Sequence, residues 1–321
     1  MKIINIDGGI GRVITVLPAL LKYHQNHLNE EWYVSIMGWD YIPLGIPELQ
    51  ERSFNPDTKG VWENIFLKAD EIVSPEPYRL PNFYKGKISL AEAFDEIINE
   101  TEEHDDLNYE TLNLSHSEIR KGQETIYRAY EAQKKEKTIV INPYGSTAQT
   151  CPLGVYDDSL RSLPESMFIK LCELLAEDYN VIYMGYSHLL SEDNKFVYVP
   201  QPDLHIREWM GVISQVDYLV GCDTVGQHIA RATGVKGCVI MGGTDPVNMS
   251  YPDHFQIIQR KQPVYSPMRI SGFQSNLAER LNKECIEYTD DEILNAYEKI
   301  KWNLQTDSVL DYLEKVKNIN L

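Results

Sequence analysis

Two short apolar runs, each ending in a loop of small residues, constrain the fold of this chain more than any other feature. The first, Tyr218 to Cys222, ends at Asp223; a loop to Gly226 and a short Ala-rich helical pattern follow. The second, Cys238 to Met241, runs into Gly242-Gly-Thr-Asp-Pro246. Apolar runs of this length, bounded by turn residues and separated by a helix, read as neighbouring strands of a parallel sheet. Both loops then lie at the carboxyl ends of strands, where open parallel sheets bind ligands. The first also opens a helix, whose free N–H groups and dipole favour an anion. The chemistry implied is a phosphate-bearing small molecule held by residues 223–228 and 242–246.

The same alternation recurs along the chain. A strand over Lys2–Ile6 ends at Asp7-Gly-Gly-Ile-Gly-Arg12, and a helical pattern follows from Val13 to about His24. A second strand is predicted from Trp32 to Met37 and helices at about 89–102 and 117–135, with 43–87 too rich in Pro, Gly and aromatics to assign. Thr138 restarts the pattern: strands at 138–142, 180–185 and 196–199, and helices at 164–177 and 205–215. Ser162 followed by Glu165 fits a capping box for the first of these helices. Residues 290–301 and 306–318 are helical in pattern. Two runs of strand–helix alternation, separated near residue 136, imply two Rossmann-like domains with a cleft between them.

Composition excludes several classes. The 321 residues include 43% hydrophobic and 10% aromatic residues, enough for a substantial core. The five cysteines form no CxxC pair, which argues against a disulfide framework or a zinc site and for a reducing compartment. No apolar run approaches the roughly 18 residues of a membrane span, and Met1 opens a strand rather than a signal peptide. A cytoplasmic protein is expected, with a membrane-peripheral location left open. The net charge of −18 disfavours nucleic acid as a partner unless the cleft is locally basic.

Four blocks of residues together resemble the heptosyltransferase-like glycosyltransferases of the GT-B type. Gly8-Gly-Ile-Gly-Arg-Val-Ile-Thr-Val-Leu-Pro-Ala-Leu20 is similar to the N-terminal Gly-x-Gly-Asp loop of that family and its following helix. Ile141-Asn-Pro-Tyr-Gly-Ser146 resembles the loop after the first strand of the donor domain, and Arg161-Ser-Leu-Pro-Glu165 with Phe168 its Lys/Arg-x-Trp-Pro element. Asp223-Thr-x-x-x-His228 with Gly243-Thr-Asp-Pro246 matches the donor-site signature in spacing and context, and is the most specific of the four.

The resemblance implies an α/β protein of the GT-B fold, two Rossmann-like domains with parallel sheets facing across a cleft. It implies an acceptor-side domain over 1–136, a nucleotide-sugar domain over 137–300, and a helix over 301–321 packing back on the first. Asp223, Thr224, Gly226, Gln227 and His228 would line the diphosphate pocket, with Thr244 and Asp245 beside it. Ser146 and Thr147 would donate hydrogen bonds, Arg161 would face the phosphates, and Gly9 and Gly11 would let the first loop approach the donor. A charge at such a helix N-terminus is worth roughly 0.3–1 kcal/mol, up to about 2 when partly buried. The implied activity is inverting transfer of a sugar from a nucleotide-diphosphate donor to a hydroxyl, heptose-like or other. No metal or cofactor is implied, and a carbohydrate or lipopolysaccharide-type acceptor is the family default.

One departure from the family pattern falls on the catalytic position. The family carries an acid, its expected base, where this chain has Arg12. Arginine accepts no proton at neutral pH. Asp7 and Asp40, after the first and second strands, are candidate replacements, and Arg12 alternatively reaches the donor diphosphate across the cleft. Blander readings stand beside these. Gly8, Gly9 and Gly11 suit a tight turn alone, His228 a core position, and Thr244-Asp245-Pro246 a turn. Competing functions are a non-catalytic nucleotide-sugar-binding protein on the same fold, transfer to a modified nucleobase or protein, or an epimerase.

Overall fold

The computed structural model describes residues 1–145, 148–151, 154–157, 159–185, 195–200, 205–259 and 287–319; side chains at 151, 154, 156, 200 and 307–319 are not described. The first half of the chain runs β1 (Lys2–Ile6), α1 (Ile10–Asn26), β2 (Trp32–Ile36), α2 (Pro47–Gln50), β3 (Ser53–Phe54), α3 (Val61–Asn64), β4 (Glu71–Val73), α4 (Pro81–Tyr84), α5 (Leu90–Ile98) and α6 (His116–Gln133). The second half runs β5 (Thr138–Asn142), β6 (Gln149–Cys151), β7 (Gly154–Tyr156), α7 (Glu165–Leu175), β8 (Asn180–Gly185), β9 (Val197–Pro200), α8 (Ile206–Ile213), β10 (Tyr218–Gly221), α9 (Val225–Ala232), β11 (Gly237–Met241), α10 (Pro246–Met249), β12 (Phe255–Gln259) and α11 (Asp290–Ile319).

Two parallel sheets result. The first has four strands in the order β3-β2-β1-β4; the second has six, in the order β12-β11-β10-β5-β8-β9. Each reverses direction of growth once, between β1 and β4 and between β5 and β10, and these are the ligand-binding crevices of such sheets. The second sheet is apolar on both faces because alternate side chains point to opposite sides. Val140, Ile182, Met184, Leu219 and Val239 join one core; Ile139, Ile141, Val181, Val220 and Ile240 join another. The first of these cores continues into the first domain through α1, whose Val13, Val16, Leu17 and Leu20 pack under Ile4, Val34 and Ile36.

The chain passes between the sheets through α6, and a bare crossing fixes that helix. A Cβ on Gly122 would stand 2.1 Å from Gly211 O, and one on Gly211 would stand 2.1 Å from Glu118 O. The backbones of α6 and α8 therefore touch. Glu118 is also the capping-box acid of α6, accepting from Ser115 N at 2.7 Å. The buried guanidinium of Arg207 takes the same carboxylate in a fork, Nη2 to Oε2 at 2.9 Å. Its remaining donors reach Ile42 O and Asn113 O, both at 2.9 Å. Removing one partner of such a pair costs about 3–5 kcal/mol.

The structure adds detail to the sequence reading at α6, at α11 and at the cap of α7. Helix α6, which a boundary at 136 assigns to the first domain, packs on α8 and β8, because the glycine crossing draws it there. The helix expected over 301–321 is the continuation of α11, and where its side chains beyond residue 306 pack lies outside the described residues. Its Ile293, Ala296, Tyr297, Ile300 and Leu304 are buried with α7 in the second domain, Tyr297 donating to Asp178 at 2.7 Å. Ser162 caps no helix: Pro164 holds the cap position of α7, and Ser162 Oγ donates to Asp157 instead, at 2.6 Å. No helix among the described residues is long and apolar enough to cross a membrane.

Substituting Gly211 with Ala forces the α6–α8 crossing apart. It is expected to lower stability by about 1–3 kcal/mol or more, measured by urea denaturation, while a Gly9→Ala control, where nothing lies within 4 Å of the added carbon, has a smaller effect.

Candidate functional site

The site forms where the crevice of the second sheet faces the first helix of the chain. Asn142 ends β5 and Asp223 follows β10, one on each side of the crevice. Thr224 bridges them: its hydroxyl donates to Asn142 Oδ1 at 3.0 Å and accepts from Gly226 N at 3.3 Å, capping α9. Gly226 is a packing glycine, since a Cβ there would stand 2.4 Å from Asn142 Oδ1. Asn142 is held in turn by Met184 O, to which its Nδ2 donates at 3.1 Å.

Asp223 is 1% exposed and ties the two strand-end loops together. Thr244 donates to its Oδ2 at 3.0 Å and Gln227 Nε2 approaches Oδ1 at 3.5 Å; the same Nε2 donates to Met249 O at 2.9 Å. Burial pushes the Asp223 carboxyl up, against the pull of the Arg161 charge and the Thr244 hydrogen bond. Asp245 caps α10 through Val247 N at 2.9 Å and lies against Gly86 of the first domain. Next to it, Asn248 donates to Phe83 O at 2.8 Å and Ile88 O at 2.7 Å, so α10 grips the first domain.

His228 crosses the seam between the domains. Its Nδ1 lies 2.8 Å from Tyr251 Oη and 3.3 Å from Thr15 Oγ1 of α1. A Cβ on Gly11 would stand 2.9 Å from His228 Cδ2. Burial first, and the Arg161 charge second, lower the His228 pKa to about 4, so the ring is neutral at pH 7. Arg161 is half-buried, its Nε donating to Ser159 Oγ at 3.1 Å. Asp157 shapes that turn by accepting from Ser159 N at 2.9 Å and Ser162 N at 3.2 Å, and Ser162 Oγ accepts from Gly145 N at 3.0 Å.

The structure thus brings Arg161, Asp223, Gln227, His228 and Thr244 together, with Gly11 across the seam. It assigns them different work from a simple lining. The side chains of Asp223, Thr224 and Gln227 are buried and frame the loop. Val225, in the first turn of α9, and Arg161 are partly exposed. Ser146 and Thr147 lie outside the described residues.

Arg12 corrects the expectation of a cation reaching across the cleft. It is 6% exposed and faces into the first domain, where Nη2 donates to Pro75 O at 2.6 Å and pairs with Asp7 at 3.2 Å. Asp7 itself is exposed at the end of β1, beside Gly9, where the space is open. Sequence reasoning named none of Thr15, Asn142, Asn248 and Tyr251 as site residues. Thr15 and Asn142 fall inside two of its four blocks, whereas Asn248 and Tyr251 had no local signal.

The sequence matches no family model and no curated protein significantly. Solved structures do match. A glycosyl transferase family 9 protein from Veillonella parvula DSM 2008 is 12% identical, with a TM-score of 0.66 over 93% of this chain and 96% of that one. The dodecameric iron-containing glycosyltransferase TibC of enterotoxigenic E. coli H10407 is 12% identical, with a TM-score of 0.58 over 95% and 79%. The E. coli heptosyltransferase WaaC with ADP is 14% identical, with a TM-score of 0.51 over 88% and 100%. The chain has the GT-B fold. Its two sheets are arranged as in the heptosyltransferase structures.

Two outcomes follow from the seam. A Gly11→Ala substitution is expected to cost about 1–3 kcal/mol, and less in a His228→Ala background, a non-additivity read from a double-mutant cycle by denaturation. Because the folded histidine resists protonation down to about pH 4 and a free one takes its proton near 6.5, its contribution is present above 6.5 and lost as pH falls through that window. Wild-type stability minus that of His228→Asn should therefore decline between pH 6.5 and 4.

Proposed function

We propose that this protein transfers a sugar from a nucleotide-diphosphate donor to an acceptor hydroxyl. The observation that carries this reading is the pairing, at one crevice, of the α9 N-terminus with Arg161 and a neutral His228. An anion at a helix N-terminus gains from the dipole and from unpaired N–H groups, and a guanidinium adds a charge-assisted fork. Both favour the diphosphate more as it leaves and its charge grows. The acceptor oxygen attacks the anomeric carbon while Asp7 takes its proton; the bond to the diphosphate oxygen breaks, and its electron pair departs with the nucleotide. A single displacement of this kind inverts the configuration. No step in this scheme calls on a metal. A carbohydrate or lipopolysaccharide-type acceptor suits the resemblance in sequence, and a structural neighbour solved with ADP makes an adenine nucleotide the first donor to try.

A thermal-shift and calorimetric screen of ADP, GDP, UDP and their sugars, with and without EDTA, tests the reading. One nucleotide is expected to stabilise the protein regardless of EDTA. Arg161→Ala should weaken its binding at least about tenfold, the scale of a lost charged hydrogen bond, and Asp223→Ala should weaken it by disordering the loop. Unchanged binding in both variants and in His228→Ala would remove the site. Binding without turnover on any acceptor would favour a non-catalytic protein, and donor conversion with no acceptor present would favour an epimerase.

A further inference from the structure

The crevice of the first sheet, between β1 and β4, is the counterpart of the donor crevice, and Arg12 fills it. From α1 its guanidinium spans the ends of both strands. Nη2 reaches Asp7 Oδ1 at 3.2 Å on the β1 side and Pro75 O at 2.6 Å on the β4 side; Nη1 reaches Glu76 Oε1 at 3.5 Å. The rings of Tyr78 and Phe94 sit 5.4 and 5.2 Å from its central carbon, so packing fixes the group from the inside. Nε lies near Gly8 of the β1 loop, buried and without a hydrogen-bond partner among the described residues. The outer rim differs. Asp7 is 67% exposed and Glu76 30% exposed, beside the open space over Gly9.

We infer that Asp7 and Glu76 are a carboxylate pair that receives two hydroxyls of the acceptor, with Arg12 the positioning residue that holds them apart across the crevice. This rests on the transferase reading and narrows its substrate. Carboxylates are acceptors only, so what they bind must donate, as sugar hydroxyls do. Two carboxylates and one guanidinium leave one net negative charge at the rim. A polyhydroxylated ring without an anionic group suits that rim, and a phosphorylated or carboxylated ring is repelled. Within the pair the roles divide. Asp7, the more exposed, follows β1 directly and takes the proton of the attacking hydroxyl. Glu76 accepts a hydrogen bond from a second hydroxyl and sets the ring's orientation. Arg12 also explains the departure from the family pattern: the cation that replaced the expected acid supports acids on either side of it.

The test measures nucleotide diphosphate release by the full chain from ADP-, GDP- and UDP-linked sugars. Acceptors are methyl glycosides of neutral hexoses, against sugar phosphates and uronic acids. Neutral glycosides are expected to stimulate release and the acidic sugars not to. Glu76→Gln should raise the acceptor KM about tenfold, the scale of one hydrogen bond to a charged group, with donor affinity little changed. Arg12→Met should lower kcat, and Arg12→Lys should recover part of it. Because Arg12 is buried and its loss can cost folding, Glu76→Gln carries the test independently. Preference for acidic acceptors, or a wild-type acceptor KM in Glu76→Gln, overturns this inference and leaves transfer standing. Absence of release from every donor and acceptor pair overturns the transferase reading itself.

Discussion

The contact between the imidazole of His228 and the bare backbone of Gly11 sets how the two halves of this protein meet. A larger residue at position 11 would hold α1 away from α9, and the Thr15 hydrogen bond to the ring would open. With the glycine in place, the N-termini of α1 and α9 come to the same seam, one from each sheet. The first domain is also fastened by Asn248 to the 83–88 segment, by Arg207 to Ile42 and by Leu112 N to Ala232 O. The cores merge along this seam, so the two domains are parts of one packed body.

Much of the second domain is legible in the sequence, and for a simple reason. Strands buried on both faces are short uninterrupted apolar runs, and Tyr218–Gly221 and Gly237–Met241 are of that kind. The position of Asp223 at a strand end followed directly. Its role did not, because burial and partners depend on residues far along the chain: Thr244 lies 21 positions from Asp223, and Asn142 lies 82 from the Thr224 it holds. Arg12 was the least legible. Read locally, an arginine after Gly-x-Gly looks like a cation aimed at phosphate. Its partners, Pro75 and Glu76, sit more than 60 residues away in a stretch whose pattern assigns no element. The capping box at Ser162 failed for a local reason. The hydroxyl had a stronger partner in the Asp157 carboxylate, which also organises the turn leading to Arg161.

Charge is distributed unevenly between the two crevices. The second has Arg161 and the N-terminus of α9 at its edge, with the carboxylates of Asp223 and Asp157 buried and hydrogen-bonded beneath them. The first has its cation sealed inside and its acids outside. On the proposed function, the diphosphate would lie against the second crevice and the acceptor hydroxyls against the first.

The glycine crossing of α6 and α8 bears on how such a cleft can open. In many two-domain proteins the connecting segment is the hinge. Here the connection is a helix in backbone contact with the second domain, continued by Gln133 into hydrogen bonds with Val181. It is too firmly seated to swing. A swing there would have to break the backbone crossing, so α6 and the second sheet form one packed piece.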